Sequence, residues 1–373
     1  MRVAGKNASD LLRPLDPDLE RQWDQLAVAT GSSPFVRPGW LKAWAGAFRQ
    51  TEALRLLTVE RGGELTGVLP LLAARGVLRS PTNFESPLFA PIAADHEAAA
   101  ELAERLLAVD SGAVHLSALR PDDAPTEVLL DAAGRSGAPV LRRTLRASPY
   151  VDVTGDPAGF WRGLSKNRRH GLRRLRNRMG DAGEVSFEVH DGRENLDALL
   201  DEGFRLEARE WKRAAGSAIL SRPGSTELFT EAARWAAEAG ILRLAFLRLA
   251  GRPIAFGYNV QQGSVLYFIK VGMSDEHLKL GPGVVFTSHL VEHAFAQPDV
   301  SCVDMLGEDE PYKVDFASGT RELIRLHTFP RSWWGGVQRA AIVTTARARA
   351  FVVSRLSDAS RTRLSAVRNR LVG

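Results

Sequence analysis

The sequence predicts a mixed α/β protein made of two successive domains. Residues 264–273 form an apolar run with β-branched and aromatic side chains, which indicates a buried strand. In residues 284–295 the apolar side chains recur at helical spacing instead. Gly281 and Gly283 lie between the two patterns, where glycine permits a tight turn and a close approach of the backbone to a ligand. Helix and strand patterns follow a similar order earlier in the chain, which favours two domains of one fold class.

The first domain is predicted to span residues 1–150. Two apolar runs flank Gly62 and Gly63, which predicts a hairpin over 53–76. Helical periodicity precedes and follows this hairpin, and a long extended run ends near Tyr150. The predicted helices lie within 17–47 and over 97–108 and 127–135, and the predicted strands lie over 113–119 and 139–153.

The second domain is predicted to span residues 151–334 and to have the same order of elements. Glycine-separated strands over 242–251 and 252–263 precede the central run, so the three strands form a meander. The other predicted elements are strands over 184–192, 301–306 and 322–330 and helices over 195–211 and 225–240. No residue-level repeat links the two halves, so the duplication is inferred from element order alone.

Positive charge is concentrated in two segments, although the net charge of the chain is only +5. Residues 162–178 contain eight Lys or Arg and no acid, and residues 335–373 contain eight Arg and one Asp. The remainder of the chain is therefore acidic. The tail, residues 335–373, is predicted to be helical and to pack on the second domain.

A basic helix is predicted over 157–179, because Asp156 before Pro157 is a helix start signal. Leu172 and Met179 belong to its inward stripe, and most of its cations lie on the opposite face. This face is either solvated surface or a binding surface for a polyanion such as CoA, a nucleotide-linked substrate or tRNA.

Cysteine content and hydropathy point to a cytoplasmic protein. Cys302 is the single cysteine and lies in a predicted strand, so it is expected to be an inert core thiol. No apolar run has the length of a signal peptide or a transmembrane span.

Five stretches together form a recognisable set of motifs: SKNRRHGLRRLRNRM (165–179), EAREWKRAAG (207–216), GRPIAFGYNVQQGSVLYFIKVGM (251–273), GPG (281–283) and DMLGEDEPYK (304–313). With these motifs, the region from about 160 to 330 resembles the GNAT superfamily of N-acyltransferases. It is similar to the branch that contains the CelD-like cellulose-biosynthesis acyltransferases. Fem-type aminoacyltransferases have a related, doubled fold, so the resemblance implies two tandem GNAT-like domains.

The resemblance implies an acyl-CoA co-substrate, such as acetyl-CoA, and neither a permanently bound cofactor nor a metal. In this superfamily, backbone amides polarise the thioester carbonyl where the central strands diverge, and the pyrophosphate lies on the glycine turn. Leu278 departs from the family pattern, which has Gln or Arg three residues before the first glycine. The residues expected to contact the donor are Lys270, Val271, Gly281, Gly283 and Val284.

Acyl transfer to an amine requires a base for the ammonium and an acid for the leaving thiolate. By element order, Tyr312 takes the place of the family's acid. Asp304 and Glu308 are the candidate bases, acting directly or through water. Lys313 is adjacent to Tyr312, where it is expected to lower the pKa of the phenol or to bind an acidic group of the substrate. The acceptor is expected to be the amine of a small molecule, a sugar or an amino acid, with Trp211 in its cleft.

Two further functions remain open at the level of sequence. A Fem-like enzyme takes its acyl group from aminoacyl-tRNA, for which Arg169 and Arg173 of the basic helix are candidate contacts. A GNAT-fold binding protein without catalysis is compatible with Leu278.

A third pattern, H-x-x-E-H at His289, Glu292 and His293, matches a zinc-hydrolase motif. It has no third ligand at a supporting spacing, so it is interpreted as part of a core helix.

Overall fold

The computed structural model describes residues 11–109, 112–208, 219–307, 311–332, 335–337, 339–340 and 344, with the backbone alone at 311–312. Within these ranges the chain forms two compact units. The first contains the described residues up to Arg146 and from Glu322 onward, and the second is Ala147–Arg321. Most of the predicted tail, residues 335–373, lies outside the described residues.

Along the chain the elements follow the predicted order. The strand predicted over 322–330 for the second domain is found as Gly319–Thr328, but it pairs with the strand Ala113–Leu119, and from Glu322 onward it belongs to the first unit. The α-helices are α1 (Pro17–Ala29), α2 (Pro38–Ala47), α3 (His96–Ala108), α4 (Ala124–Arg135), α5 (Pro157–Gly163), α6 (Lys166–Ala182), α7 (Leu196–Glu207), α8 (Ser225–Glu238), α9 (Pro282–Ala296) and α10 (Pro311–Val314). The strands are β1 (Leu12–Arg13), β2 (Leu54–Arg61), β3 (Glu64–Ala74), β4 (Val77–Arg79), β5 (Ile92–Ala93), β6 (Ala113–Leu119), β7 (Val140–Asp152), β8 (Val185–His190), β9 (Leu242–Leu249), β10 (Arg252–Gln262), β11 (Val265–Met273), β12 (Cys302–Asp304) and β13 (Gly319–Thr328). The predicted boundary at Tyr150 lies within β7.

In the first unit the sheet order is β1-β2-β3-β4-β6-β13, with β5 paired to β3. The predicted hairpin is confirmed as β2 and β3, turned by Gly62 and Gly63 at φ +61° and +86°. Two positive φ angles match the twist of the flanking strands, which explains the glycine pair. Strand β4 runs parallel to β6 and the other pairs are antiparallel.

The segment after β4 fills the space beside β6 in the first unit. The Ser80 amide donates to the carbonyl of His115, and the Ser80 hydroxyl accepts the Ser117 amide at 2.9 Å. Further along, the Phe89 amide donates to the carbonyl of Ala118 at 3.0 Å, and the Phe89 ring is buried. The chain itself therefore occupies the edge of β6 that follows its short pairing with β4.

In the second unit the sheet order is β7-β12-β11-β10-β9-β8. Strand β11 runs parallel to β12, and the other pairs are antiparallel. On one face, Phe286 of α9 and Leu172 of α6 share a core cluster with Phe268 of β11. On the other face, Phe229 of α8 packs on Tyr258 of β10 with ring centroids 5.1 Å apart. Helices thus cover both faces of this sheet, which is a mixed α/β architecture.

The basic helix predicted over 157–179 consists of two helices, α5 and α6. Leu164 is extended at ψ 147°, which ends α5. The hydroxyl of Ser165 then accepts the Arg168 amide at 3.3 Å and begins α6. The predicted inward stripe is confirmed, because Leu172 and Met179 are buried.

A pair of histidines in the first unit faces each other across β6 and β13. His115 and His327 are directly opposed, with ring centroids 4.6 Å apart. One ring nitrogen of each is buried without a hydrogen-bond partner in the part of the chain that the structure describes. Burial, together with His115, Arg325 and Arg143, lowers the pKa of His327 to about 4. Burial and the charge of Arg79 lower the pKa of His115.

This pair predicts a specific loss of stability in acid. The pKa of His327 is lower in the folded protein than its ordinary value of 6.5, so unfolding takes up a proton between those two pH values. The contribution of the neutral ring is complete above about pH 6.5 and is lost as the pH falls toward 4. His327→Gln should therefore make the free energy of unfolding less dependent on pH between 7 and 4.5, as measured by urea denaturation. The exposed His96→Gln is the control, and equal slopes for wild type and His327→Gln contradict the account.

Candidate functional site

Strands β11 and β12 form a fork in the second unit. Their parallel ladder has three residue pairs and ends at Tyr267 and Asp304, whereas β11 continues for six more residues to Met273. After Asp304 the chain follows β7, since the Met305 amide donates to the carbonyl of Pro149 at 3.0 Å. The register of β10 and β11 also shifts between Tyr258 and Asn259, which is a β-bulge. Beyond the ladder, the β12-facing edge of β11 therefore lines the open arm of the fork.

Asp304 lies where the fork divides. Its side chain is 1% exposed, and its Oδ1 accepts the Leu306 amide at 3.1 Å. Arg321 approaches Oδ2 at 3.6 Å, and its guanidinium lies 4.2 Å from the centroid of the Tyr150 ring. A buried carboxylate needs a cation and hydrogen-bond donors, and this site provides both. Asp304 is therefore well placed to hold the fork.

The loop after Asp304 turns sharply. Leu306 and Gly307 are both left-handed, at φ +49° and +73°. The ammonium of Lys313 is buried and donates to the Leu306 carbonyl at 3.0 Å. A Cβ at Gly307 would lie 2.9 Å from that ammonium, so glycine leaves room for it. Lys313, predicted to bind substrate or tune Tyr312, thus has a structural contact on the loop that leads to Tyr312.

The glycine turn precedes α9, as predicted, but its first turn is packed from two sides. The amides of Val284 and Val285 both donate to the Gly281 carbonyl at 3.1 Å. Gly283 is buried, and a Cβ there would lie 2.9 Å from the terminal methyl of Met273. A Cβ on Gly281 would lie 2.8 Å from Leu175 of α6. Close packing thus accounts for both glycines, and the exposed surface of the turn is limited to the partly buried Gly281 and Val284.

Helix α6 is fixed across α9 by polar contacts. Arg176 donates to the Ser288 hydroxyl at 2.7 Å and to the Glu292 carboxylate at 2.8 Å. Arg178 donates to the carbonyl of Lys279, at the start of the glycine turn, at 3.1 Å. Burial raises the pKa of Glu292, but hydrogen bonds from His289 and Arg176 outweigh it and lower the pKa to about 2. Glu292 therefore remains ionised and anchors α6.

The residues of the H-x-x-E-H pattern take part in packing contacts around α9. Glu292 lies 3.3 Å from Nδ1 of His289, and the His289 ring stacks on Phe187 at 5.6 Å. His293 also contacts Phe187, with centroids 6.2 Å apart. Among the residues described, no group of three or more His, Cys, Asp or Glu is arranged to hold a metal ion.

The cations of α6 fall into two sets. Arg168 pairs with Asp315, and Arg169 donates to the carbonyls of Arg162 and Leu164. These contacts, like that of Arg176, lie within the protein. By contrast, Lys166, Arg173 and Arg174 are exposed and make no ion pair or hydrogen bond with the described residues. A hollow of about 450 Å³ on this exposed face is lined by His170, Arg173, Arg174, Asn177, Arg178 and Asp181.

The other predicted site residues are placed as follows. Lys270 is half-buried, with its ammonium 5.3 Å from the centroid of Phe229, and Val271 is buried. Trp211 and Glu308 lie outside the described residues, and Tyr312 is described by its backbone alone, in the short helix α10. For these residues the predicted roles stay predictions.

Two residues near the fork were not predicted. Arg321, the partner of Asp304, lies in a strand without any motif, so nothing in the sequence identified it. Glu207 is 1% exposed, and its carboxylate accepts the Ile219 amide at 2.7 Å. Its Cα lies 2.6 Å from the position of a Cβ on Gly272, so α7 rests directly on the open arm of β11. The motif EAREW begins at Glu207 and was the available signal.

Comparison with known proteins agrees with this geometry. Residues 166–314 match the family model described as an acetyltransferase (GNAT) domain. This stretch of the chain is similar to a GNAT domain. The match includes the fork, the glycine turn and α6, and it supports an acyltransferase in general terms. No curated protein sequence matches the chain. In the described part of the chain, no helix has both the length and the apolar character of a membrane span.

Several solved structures share the fold over most of the chain. FemX is 13% identical, with 83% of this chain and 96% of that chain covered and a TM-score of 0.56. The C-terminal domain of a candidate lysylphosphatidylglycerol synthetase from Agrobacterium fabrum is 12% identical, with 87% and 95% covered and a TM-score of 0.54. A conserved protein of unknown function from Bacteroides thetaiotaomicron VPI-5482 is 13% identical, with 86% and 99% covered and a TM-score of 0.53. At these identities the likeness concerns the fold alone, and it extends over both units.

The two glycines of the turn predict different effects of an added methyl group. Gly281→Ala should lower the free energy of unfolding by about 2 kcal/mol or more, because it combines a left-handed backbone with a contact to Leu175. Gly283→Ala should lower it by less than about 1 kcal/mol, because the flexible end of Met273 can move aside. Chemical denaturation of both variants tests the packing. A Gly283→Ala protein that is the less stable of the two contradicts it.

The Asp304–Arg321 contact predicts energetic coupling. Arg321→Gln should lower the free energy of unfolding by about 1–3 kcal/mol, because it leaves a buried carboxylate without its cation. Asp304→Asn in the same chain should recover part of that loss in a double-mutant cycle. Arg142→Gln, which removes an exposed pair with Glu322, is the control and should change stability by less than about 1 kcal/mol. Purely additive effects of the two fork variants contradict the coupling.

Proposed function

We propose that the second unit is an N-acyltransferase that moves an acyl group from acyl-CoA, such as acetyl-CoA, to the amine of a small-molecule, sugar or amino-acid acceptor. The fork of β11 and β12 is the observation that carries this proposal. A strand edge beyond the end of a ladder offers backbone amides in a fixed direction, which is what a developing oxyanion requires. The family match over residues 166–314 supports the reaction class.

The proposed reaction is direct attack. The neutral amine nitrogen forms a bond to the thioester carbon, the C–S bond breaks, and the thiolate takes up a proton. Backbone amides near Lys270 and Val271 stabilise the charge on the carbonyl oxygen, and Tyr312 gives the proton to the thiolate. The base is Glu308, or Asp304 acting through water because its carboxylate is buried. Trp211 lines the acceptor cleft.

The donor is proposed to lie along the exposed side of the glycine turn. Its pyrophosphate is proposed to lie over residues 281–285, at the positive end of α9. The packing of Leu175 and Met273 restricts the available surface to Gly281 and Val284. Lys279 and Arg178, which meet at the start of this turn, supply nearby positive charge.

One observation favours a second candidate, in which aminoacyl-tRNA is the donor. The exposed face of α6 holds Lys166, Arg173 and Arg174 at helical spacing, and no acid among the described residues neutralises them. Such a face suits a phosphate backbone better than a single CoA. FemX shares the fold, and the crowded glycine turn leaves little room for a pyrophosphate.

The acid role of Tyr312 has a direct test. Tyr312→Phe keeps the ring and removes the proton, so CoA affinity should persist while turnover falls by roughly 10²–10⁴-fold. The loss should be smaller with an activated aryl ester, whose leaving group needs no proton. Tyr150→Phe is the matched control, because its ring stacks under Arg321 near the fork. If Tyr312→Phe keeps wild-type turnover and Tyr150→Phe loses it, then Tyr150 rather than Tyr312 is the acid that protonates the thiolate.

The salt dependence of binding separates the two donors. Changing Lys166, Arg173 and Arg174 together to Gln should reduce the slope of log K against log salt for tRNA by about 2–3, because each phosphate contact contributes about 0.7–0.9. The exposed Arg75, Arg135 and Arg252, changed together, are the control. Unchanged tRNA affinity and slope reject the second candidate. Acyl-CoA binding without turnover on any amine identifies a binding protein instead.

A further inference from the structure

A second cleft in the second unit lies at the β8 edge of the sheet. It has a volume of about 490 Å³ and is lined by Val189, His190, Asp191, Gly192, Arg193, Glu194, Arg243, His293 and Gln297. Helix α9 begins at the glycine turn and ends beside this cleft, and its 15 residues span about 22 Å. Arg243 lies on β9, two strands from β11, and is level in register with Asn259 of β10 and Phe268 of β11. Val189 and His190 of the lining belong to β8, three strands from β11, or about 14 Å at about 4.8 Å per strand. The cleft therefore lies at the β8 edge of the sheet, away from the β12-facing edge of β11 that lines the fork.

Arg243 forms one wall of this cleft, and its hydrogen bonds to the described residues go to neutral acceptors. Its guanidinium donates to the carbonyls of Gly240 and Leu242 at 3.0 and 2.7 Å and to the side-chain oxygen of Gln261 at 3.1 Å. Burial lowers the pKa of Arg243, although Asp299 and Asp191 act in the opposite direction. A half-buried cation without a direct anionic partner is suited to receive one from a ligand.

The position of Arg243 is fixed before any ligand arrives. Asn259 donates to the Arg243 carbonyl at 2.9 Å, and Gln261 is in turn held by a 2.7 Å hydrogen bond to Asp299. His293 lies beside it, and burial, followed by the charge of Arg243, lowers the pKa of His293. The neutral imidazole has no hydrogen-bond partner among the described residues, so it can bond to a ligand. A preorganised site of this kind loses little entropy on binding.

The opposite wall carries the carboxylates of Asp191 and Glu194 and the guanidinium of Arg193, whose Nε lies 3.4 Å from Asp191 Oδ2. Asp191 accepts the Arg193 amide at 3.0 Å, which folds the loop after β8. Gly192 is left-handed at φ +77°, and a Cβ there would lie 2.7 Å from Leu242, so the loop closes tightly on β9. Glu194 then projects as an exposed carboxylate without a partner among the residues that the structure describes. The cleft therefore has a positive and a negative end.

We propose that this cleft binds a small zwitterion of the α-amino-acid class, with its carboxylate on Arg243 and its ammonium on Glu194. The charged residues of the lining are two arginines, Arg193 and Arg243, and two acids, Asp191 and Glu194, so the cleft is neutral overall and suits a zwitterion better than a phosphate or a polyanion. The separation from the fork makes this a second site rather than the acceptor site. The inference goes beyond the proposed function and does not depend on it.

Binding to the full chain tests the inference. Thermal shift with each of the free proteinogenic amino acids at millimolar concentration should find at least one that raises the Tm. In calorimetry, the N-acetyl and the carboxamide forms of that amino acid should each bind at least tenfold more weakly. Absence of binding by every amino acid, or an affinity unchanged by N-acetylation, overturns the proposal.

Two variants locate the site. Glu194→Gln should fold normally, because the side chain is exposed. It should lower the affinity for the free amino acid at least tenfold and leave the affinity for the N-acetyl form unchanged. His293→Asn should weaken both forms. Glu64→Gln, an exposed change in the first unit, is the control and should alter neither affinity. Equal affinity of wild type and Glu194→Gln for the free amino acid places the binding elsewhere and overturns the assignment.

Discussion

Strand β12 pairs with β11 for three residues, and the arrangement of the second unit follows from the end of that ladder. At Asp304 the chain stops following β11, because the carboxylate takes the Leu306 amide and Arg321 while the Met305 amide bonds to β7. The left-handed Leu306 and Gly307 then redirect the chain, and Lys313 holds the turn. One buried carboxylate thus opens the fork and also directs the chain toward Tyr312.

Helix α6 shows how a highly basic segment is accommodated in a folded domain. Four of its arginines have partners within the protein. Arg168 pairs with Asp315, and Arg176 donates to Ser288 and Glu292. Arg178 donates to the Lys279 carbonyl, and Arg169 donates to the carbonyls of Arg162 and Leu164 just before the helix. Leu172 and Leu175 supply the apolar contact. The remaining cations, Lys166, Arg173 and Arg174, lie on the exposed face and have no ion pair or hydrogen bond with the described residues. The same helix packs on the glycine turn through Leu175 and Gly281, where the donor is proposed to bind.

Local patterns in the sequence were sufficient to predict the helices and strands but not the contacts between them. The hairpin at Gly62 and Gly63 and the strand–turn–helix at Gly281 could be predicted, because turn chemistry and periodicity act within a few residues. The packing of Leu175 on Gly281 could not, since the two lie a hundred residues apart in the chain. Arg321 was missed for the same reason. The break at Ser165 was overlooked because the capping signal lay inside a helical pattern.

A crystal structure of the chain with a bound donor tests the central claim, that the open arm of β11 receives the acyl group. Two donors suffice, a non-hydrolysable acyl-CoA analogue and an aminoacyl-adenosine amide that mimics the end of a charged tRNA. The account predicts that the carbonyl oxygen of one of them lies about 3 Å from a backbone amide within residues 268–272. The account is contradicted if both donors bind away from β11. It is also contradicted if neither donor binds and protein side chains fill the fork.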